Sequence, residues 1–566
     1  MKFSQMPYER PVLEELKTGF EMLLAHFKAA KSADECFAVY KEYEVLFSEK
    51  HRTLGTLAFI RNSLDTTDEF YDGEMAFWDE AVPELGEVLQ EFTSALLVSP
   101  FRADMEAKWG SLVFKNAEIA LKTFSPAIVE DLQKENALRT EYGKLIASAQ
   151  IEFDGKTLTL AQLKPYLESP GRAVRKAAHA ASAAWHMDKA DKLDSIFDEM
   201  VKVRTSMAKK LGYDNFVELG YYRMTRNCYD KDMVAKFRDG VAKHIVPIVM
   251  KLMKEQAVRI GVDAIKVYDE DFKYPDGNAK PKGTAEDIFA HAKKMYSELS
   301  TETGEFLDFM IENELFDVHT RPGKSAGGYM VKLPAYRSPF IFANFNGTSG
   351  DVDVLTHEVG HAYAAHLAWD IEPAMLQDEP PETGEIHAMA MEYFAWPWME
   401  GFFGEQTQKY LQSHLAGALT FLPYGAMVDE YQHGIYENPD MTPAQRNEYW
   451  LTLEAKYRPW LDLTDTPYNG EGRRWQSQGH IYEDPFYYID YCLAQIVALG
   501  FWAQSQKNYK AAWEKYRKLA ALAGTKTFVE LVAEAGLPTP FETDNIKVVA
   551  DAATDWLDKR KCAGQA

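Results

Sequence analysis

Cysteine is scarce in this chain. Only four of its 566 residues are cysteine, and Cys36, Cys228, Cys492 and Cys562 lie far apart without any CxxC pair. A disulfide framework is typical of small secreted chains with closely spaced cysteines. The sequence therefore predicts reduced thiols, most of them with a structural role.

Basic residues are in deficit. The chain carries 86 acidic against 62 basic residues, a formal net charge of −24, and shows no local Lys/Arg stripe. Such a charge repels nucleic acid and anionic membrane surfaces. We therefore expect no nucleic-acid partner and no membrane partner.

Long hydrophobic runs are also absent from the sequence. The most apolar stretch, 491–502, contains Gln495 and is too short to span a bilayer. The first 16 residues include Pro and acidic residues but no apolar segment of a signal peptide. These features predict a soluble, cytoplasmic protein, and the sequence carries no signal for its oligomeric state.

What the chain does contain is helical periodicity. Hydrophobic residues make up 46% and aromatic residues 13% of a chain several times the usual domain length, so more than one lobe is expected. In segment 190–212 the apolar residues recur at intervals of three and four, and Gly212 follows as a C-cap. Because similar patterns run through most of the sequence, we predict a mainly α-helical fold.

Two segments depart from this pattern. Segment 150–171 has the pattern of a short strand pair followed by a turn, and we place a domain boundary there: residues 1–165 as an N-terminal helical lobe and residues 166–566 as the catalytic region. Segment 321–350 has two apolar β-rich runs between Gly, Pro and Asn-Gly turns, which predicts a small sheet.

The most informative motif follows this sheet. His357, Glu358 and His361 form an HExxH pattern within a helical segment. Residues four apart project from one face of a helix, so both imidazoles can reach one Zn²⁺. Glu358 then lies close to the remaining coordination position, where a general base can take a proton from water.

A second helical segment, 383–393, supplies carboxylates. Glu385 and Glu392 are seven residues apart, on one face of an otherwise apolar helix. Buried carboxylates are costly unless they have a positive partner. One metal ligand and one partner for a ligating histidine would explain both residues.

The spacing of these motifs resembles that of the thimet oligopeptidase/oligoendopeptidase F family of zinc peptidases, most closely its bacterial oligoendopeptidase F branch. Glu385 follows the second histidine by 24 residues and Glu392 follows Glu385 by seven. The resemblance covers roughly residues 160–550, and its further motifs lie at 164–176, 336–347, His480 and 486–491.

This resemblance implies two helical lobes around a deep substrate channel, with the zinc in its wall and a small β-sheet next to the zinc-binding helix. It implies one Zn²⁺ per chain and short, unstructured oligopeptides as substrates. The implied roles are metal ligands for His357, His361 and Glu385, general base for Glu358, support of a ligand for Glu392, and donors to the oxyanion for His480 with a tyrosine pair.

The tyrosine pair stays open, because the branch usually shows a Phe-Tyr-x-Tyr-x-Tyr pattern and position 489 is Ile here. Tyr488 and Tyr491, three residues apart on one helical face, are the first choice. Tyr487 and Tyr491, four apart, fit almost as well.

Other features have two interpretations each. Strand 340–345, with Phe342, Ala343 and Asn344, either presents an edge to an extended peptide or completes an internal sheet. Loop 465–474 is either a lid over the substrate or a plain surface loop. His366 and His387 fall off the metal-facing stripe and are expected not to be ligands.

The sequence thus predicts a zinc-dependent endopeptidase for oligopeptides. One alternative is a helical zinc carboxypeptidase, which would bind the terminal carboxylate of its substrate through Arg or Lys. The other is a non-catalytic, peptide-binding helical protein with a structural metal, although structural zinc sites normally have four protein ligands.

Overall fold

The structure, a computed structural model, describes residues 1–561; Cys562 lies outside the described residues. Up to residue 150 the chain is helical. The helices are α1 (Leu13–Ala29), α2 (Ala33–Leu46), α3 (Leu54–Leu64), α4 (Glu69–Val98), α5 (Arg102–Trp109), α6 (Ser111–Ala120) and α7 (Val129–Ala147). Aromatic side chains of α1, α2, α4 and α5, such as Phe20, Tyr40, Phe92 and Trp109, form an apolar core separate from the main one.

A short hairpin follows, as the sequence predicts for segment 150–171. Strands β1 (Ile151–Phe153) and β2 (Lys156–Leu158) pair antiparallel. After the hairpin the chain returns to helices. These are α8 (Leu160–Leu167), α9 (Arg172–Lys210), α10 (Phe216–Arg223), α11 (Lys231–His244), α12 (Val246–Ile260), α13 (Ala285–Leu299) and α14 (Thr301–Glu312).

The predicted glycine follows the end of helix α9. Gly212 has φ +87°, a left-handed conformation that glycine adopts without a steric penalty. The N–H of Gly212 donates to the carbonyl of Lys209, and the N–H of Tyr213 donates to that of Ala208. This pair of bonds is a Schellman cap, which satisfies the last carbonyls of the helix.

A three-stranded sheet precedes the HExxH helix. Its strands are β4 (Phe316–His319), β5 (Tyr329–Leu333) and β6 (Ser338–Phe345), in the order β4-β6-β5. Strand β6 is parallel to β4 and antiparallel to β5. The sequence predicts β5 and β6 but misses β4, and a two-residue strand, β3 (Ile265–Lys266), pairs separately with β7 (Leu461–Asp462).

The rest of the chain is again helical. Its helices are α15 (Gly350–Ala368), α16 (Pro381–Phe394), α17 (Met399–Phe403), α18 (Thr407–Glu437), α19 (Pro443–Tyr457), α20 (Gly479–Glu483), α21 (Tyr488–Ser505), α22 (Tyr509–Ala520), α23 (Phe528–Glu534) and α24 (Thr543–Lys561). Helix α16 packs between α15 and α21, and its residues from 382 to 391 are all buried. The prediction of a mainly α-helical protein with a small sheet beside the HExxH helix is confirmed.

None of the helices within residues 1–561 has the length and apolarity needed to cross a lipid bilayer. The three cysteines in this part of the chain, Cys36, Cys228 and Cys492, are free thiols.

Candidate metal centre and active site

A tight turn connects the central strand to the HExxH helix. Gly347, with φ +82°, lets the chain reverse after β6. The Asp351 carboxylate in the first turn of α15 accepts the backbone N–H groups of Asn346 and Gly347, both at 2.8 Å. An acidic side chain at this position also stabilises the positive end of the helix dipole.

Gly360, between the two histidines, sets the distance between α15 and α16. A Cβ atom at this position would lie 2.7 Å from the Cα of Ala388 and 2.7 Å from the carbonyl oxygen of His387. Both atoms belong to the backbone of α16, which cannot move locally. Glycine therefore allows the helix that carries Glu385 to approach the helix that carries His357 and His361.

The predicted ligand set comes together at this crossing. His357, His361 and Glu385 each offer one ligand atom, and these atoms lie within 4.8 Å of one another. Oε2 of Glu385 is 3.2 Å from Nε2 of His357 and 3.5 Å from Nε2 of His361. Among the residues from 1 to 561 this is the one such group of three or more His, Cys, Asp or Glu.

The chemistry of this donor set fits a divalent cation. Oε2 of Glu385 is buried and has no hydrogen-bond partner of normal geometry. Burial alone would raise the pKa of Glu385, but His361 and His357 hold it well below its ordinary value. Two imidazoles and one carboxylate are a ligand set that catalytic zinc sites use, with one position left for water or substrate.

Glu392 fixes the orientation of the first histidine. Its carboxylate accepts a hydrogen bond from Nδ1 of His357 at 2.8 Å, which leaves Nε2 directed at the ligand group. The other oxygen binds Nε2 of His414 on α18, also at 2.8 Å, and Nδ1 of His414 accepts a bond from Trp396 at 3.2 Å. Sequence reasoning does not find His414, because it has no motif around it.

Glu358 lies beside the ligand group. Its side chain is buried, and burial raises its pKa, although His357 and His361 oppose this shift. Oε2 of Glu358 has no hydrogen-bond partner within the described part of the chain. The carboxylate is therefore available to a water molecule or to substrate at the metal position.

His480 and Tyr491 form a hydrogen-bonded pair near this site. Tyr424 donates to Oε1 of Gln478 at 2.9 Å, so the amide NH₂ of Gln478 is directed at Nδ1 of His480, 3.1 Å away. Burial lowers the pKa of His480, which favours the neutral ring. Its proton then resides on Nε2 and is donated to the oxygen of Tyr491 at 3.2 Å, which leaves the Tyr491 hydroxyl hydrogen free for another acceptor.

The other two tyrosines line different cavities. The Tyr487 hydroxyl donates to Oε1 of Glu385 at 2.6 Å. The ring of Tyr488 is 5.1 Å from that of His480 and 5.8 Å from that of Tyr424. Tyr487 is thus bonded to a predicted metal ligand, whereas Tyr488 points towards a neighbouring cavity.

A cavity of about 310 Å³, which we call the metal cavity, contains the predicted ligands and base. It is lined by Gly328, Tyr329, Met330, Lys332, His357, Glu358, His361, Asp378, Glu379, Pro381, Gly384, Glu385, Tyr487 and Tyr491. Strand β5 therefore forms part of its wall.

The metal cavity is lined by strand β5, whereas the sequence offers strand β6 as a possible edge strand. Strand β6 pairs with β4 on one side and with β5 on the other, so the interpretation of 340–345 as an edge strand is wrong. Phe342 and Ala343 are buried in the sheet, and the amide of Asn344 donates to the carbonyls of Ser325 and Gly327. Among the described residues, β5 has a strand partner on one side only.

Loop 465–474 packs against helix α9, so it is not a free surface loop. Asn469 is buried and bonds to His179 at 3.1 Å, and Arg473 pairs with Asp194 at 3.4 Å. Its movement over substrate stays a prediction.

The two remaining histidines lie outside the ligand group. The ring of His366 packs against Phe306 at 4.9 Å, and His387 is buried with neither ring nitrogen hydrogen-bonded.

A methyl group at position 360 should disrupt the site. We expect Gly360→Ala to push α15 and α16 apart and to weaken both zinc binding and stability, because overpacking of this kind costs about 1–3 kcal/mol. Gly73→Ala in α4 is the matched control, since no atom lies within 4 Å of its added Cβ. Zinc affinity and melting temperature are the measurements, and equal behaviour of the two variants would contradict the packing argument.

The fold and the site together define a class of protein: a mainly helical chain with an HExxH helix whose two histidines meet a glutamate from the next helix. Comparison with known proteins gives the family. Peptidase family M3 matches residues 165–547, and the peptidase M3 N-terminal domain matches residues 3–124. The chain belongs to the peptidase M3 family, which confirms the resemblance drawn from the sequence.

Individual relatives agree with this assignment. A solved structure of PZ peptidase A with an inhibitor is 49% identical, with a TM-score of 0.97 and 99% of both chains covered. The oligoendopeptidase F homolog of Lactococcus lactis subsp. lactis (strain IL1403) is 21% identical over 431 residues, 71% of this chain. That match spans 65% of the relative's own length. Oligoendopeptidase-F from Enterococcus faecium, 15% identical with a TM-score of 0.64 over 97% of both chains, shares the fold.

Proposed function

We propose that this protein is a zinc-dependent endopeptidase that hydrolyses internal bonds of short, unstructured oligopeptides. The observation that supports it most directly is the meeting of His357, His361 and Glu385 beside the unpartnered carboxylate of Glu358. The similarity to oligoendopeptidase F homologues and to PZ peptidase A points to the same activity. We further propose that the protein acts in the cytoplasm and that residues 1–165 and 166–566 are its two domains.

In this proposal His357, His361 and Glu385 hold one Zn²⁺, and Glu392 keeps His357 in the tautomer that ligates. Zinc bound there would polarise the scissile carbonyl and lower the pKa of water. The residues of the chain perform the proton transfers. Glu358 takes a proton from the attacking water as its oxygen bonds to the carbonyl carbon, and it gives that proton to the leaving amine as the C–N bond breaks.

Tyr491 stabilises the oxyanion in this mechanism. Since its oxygen accepts from Nε2 of His480, its own hydroxyl hydrogen remains available for the carbonyl oxygen as negative charge develops there. Tyr487 has a different role, because its hydroxyl already binds Glu385 and so positions a metal ligand.

The substrate backbone is proposed to pair with β5. The strand lies at the sheet edge and lines the metal cavity through Tyr329, Met330 and Lys332. An extended peptide added to this edge would form main-chain hydrogen bonds irrespective of its side chains. This arrangement admits unstructured peptides and excludes segments that are already folded.

Single hydroxyl deletions separate the three tyrosines. We expect Tyr491→Phe to lower kcat by about a hundredfold or more without loss of zinc, as removal of an oxyanion donor does. Tyr487→Phe should weaken zinc binding by about tenfold to a hundredfold. Tyr488→Phe is the matched control and should leave both quantities nearly unchanged; a larger kcat loss in Tyr488→Phe than in Tyr491→Phe would restore Tyr488 as the oxyanion donor.

Peptides blocked at both ends test the proposed activity. We expect an acetylated, amidated peptide of about ten residues to be cut internally in the presence of zinc and to stay intact with a chelator, as read by mass spectrometry. A carboxypeptidase would require the free carboxyl terminus and would leave such a peptide whole. Peptide binding without cleavage, unaffected by chelator, would instead support the non-catalytic alternative.

A further inference from the structure

Two more cavities lie in the helical part of the protein, and one of them borders the metal cavity. The middle cavity, of about 410 Å³, shares Tyr491 with the metal cavity and is also lined by Glu392, His480 and Tyr488. A distal cavity of about 280 Å³ lies next to it. The middle and distal cavities share four lining residues, Lys273, Ser413, Gly417 and Phe421.

Arg474 lines the distal cavity and has one N–H group without an acceptor. Its Nε is buried without a hydrogen-bond partner, and the guanidinium lies 5.1 Å from the ring centre of Tyr424. Arg474 forms no ion pair with any residue that the structure describes. The carboxylates of Glu270 and Glu454 influence it electrostatically, but each is hydrogen-bonded to Arg458.

Lys273 is a second cation that lines these cavities. It is half-buried, lines both the middle and the distal cavity, and makes no ion pair within residues 1–561. Its backbone carbonyl accepts a hydrogen bond from Nε of Arg259 at 2.6 Å, which anchors the main chain at this point. The ammonium group is therefore available to a ligand in the cavities.

We propose that Arg474 and Lys273 bind the C-terminal carboxylate of the peptide substrate, on the leaving-group side of the scissile bond. This inference rests on the proposed peptidase function. A buried donor without an acceptor is unfavourable, and a carboxylate can accept two N–H groups of a guanidinium at once. An ammonium group, at the other end of a peptide, has no acceptor to offer Arg474.

The distance from His480 to Arg474 limits the length of the C-terminal product that fits between the scissile bond and the carboxylate site. His480 contacts Tyr488 at 5.1 Å between ring centres, Tyr488 contacts Tyr424 at 5.8 Å, and Tyr424 contacts Arg474 at 5.1 Å. Three successive contacts of this size correspond to no more than about five residues of extended chain. We therefore expect the carboxylate effect for peptides with up to about five residues after the scissile bond.

The distal cavity is also lined by carboxylates, which would favour a different peptide terminus. Glu255, Glu270 and Asp271 line it. If these groups dominated, the cavity would prefer a basic or amidated terminus to a free carboxylate.

The test compares peptides that are identical except for a terminal carboxylate or carboxamide. Dissociation constants are measured with zinc-loaded Glu358→Gln protein, so that the result does not depend on turnover. The free acid is expected to bind about tenfold to a hundredfold more tightly than the amide. Equal binding, or preference for the amide, would overturn the inference.

Substitutions in the same background assign the effect to its residues. Arg474→Met and Lys273→Met should each reduce the acid-over-amide ratio while leaving the affinity for the amide nearly unchanged. Arg474→Lys keeps the charge and should retain part of the ratio, which covers the case in which Arg474→Met folds poorly. Lys254→Met removes an exposed cation on the same helix as Arg259 and should leave the ratio intact.

Hydrolysis by the unmodified enzyme then separates this inference from the proposed function. If both peptides bind with equal affinity and are cleaved at equal rates, the proposed carboxylate site is wrong but the proposed peptidase activity is supported. If the free acid binds more tightly but neither peptide is cleaved, the carboxylate site is supported and the proposed peptidase activity is contradicted.

Discussion

Replacement of Glu358 by Gln is expected to abolish most peptide hydrolysis while the protein stays folded and keeps its zinc. Glutamine preserves the shape of the side chain but cannot accept a proton from water at neutral pH. General-base catalysis contributes about a hundred- to ten-thousand-fold, so kcat should fall by that factor. The assay is cleavage of a blocked peptide, with zinc content and circular dichroism measured on the same preparation.

Glu379→Gln is a matched control for this substitution. Glu379 lines the same metal cavity but does not belong to the ligand group. Burial raises its pKa, and glutamine keeps the shape of this side chain while removing its charge. We expect near-normal turnover in this control, and full activity of Glu358→Gln would remove Glu358 as the base.

Loss of the glutamate ligand should have an equally large effect by a different route. Glu385→Gln removes the charge that attracts the cation and leaves a weaker donor. Loss of an outer partner of a ligand alone costs about tenfold to a hundredfold in metal affinity, so loss of a ligand should cost more. We expect peptide hydrolysis to drop to the level seen with chelator, and added zinc to restore the chelated wild type but not the variant.

Stability supplies a second readout of the same substitution. A metal that binds only the folded protein raises the melting temperature, so zinc should stabilise the wild type and leave Glu385→Gln almost unchanged. Glu382→Gln is the control: Glu382 lies one turn earlier on α16, is 1% exposed, and its pKa is raised by burial, so it favours the neutral form. A zinc-dependent increase in melting temperature in Glu385→Gln equal to that of the wild type would exclude Glu385 as a ligand.

The ligand group could be predicted from sequence because its geometry is local. The spacing of His357 and His361 is fixed by one helical turn, and Glu385 and Glu392 share a face of one helix. The family that these spacings resemble is confirmed. The roles of the individual residues stay predictions that the variants above address.

Contacts between distant segments could not be derived in the same way. His414 reaches Glu392 from α18 through tertiary packing, and its surrounding sequence carries no metal-site pattern. The placement of Tyr487 and Tyr488 in different cavities depends on how α20 and α21 are joined. A difference of one residue changes the direction of a side chain by about 100° on a helix.

The sequence contains a signal that favours the internal interpretation of strand β6 over the edge interpretation. Segment 340–345 is apolar almost without alternation, a pattern typical of a strand buried on both faces. Such burial fits the central position of β6 between β4 and β5. The sequence pattern does not reveal strand β4, because this strand is only four residues long and closely follows helix α14.

The most direct test of the central claim is the location of a metal. A crystal of the zinc-loaded protein, measured on both sides of the zinc absorption edge, should show one anomalous peak per chain among Nε2 of His357, Nε2 of His361 and the carboxylate of Glu385. Ligand distances of about 2.0–2.2 Å are expected there. A map without a peak at this position, or with zinc bound only elsewhere, would contradict the account.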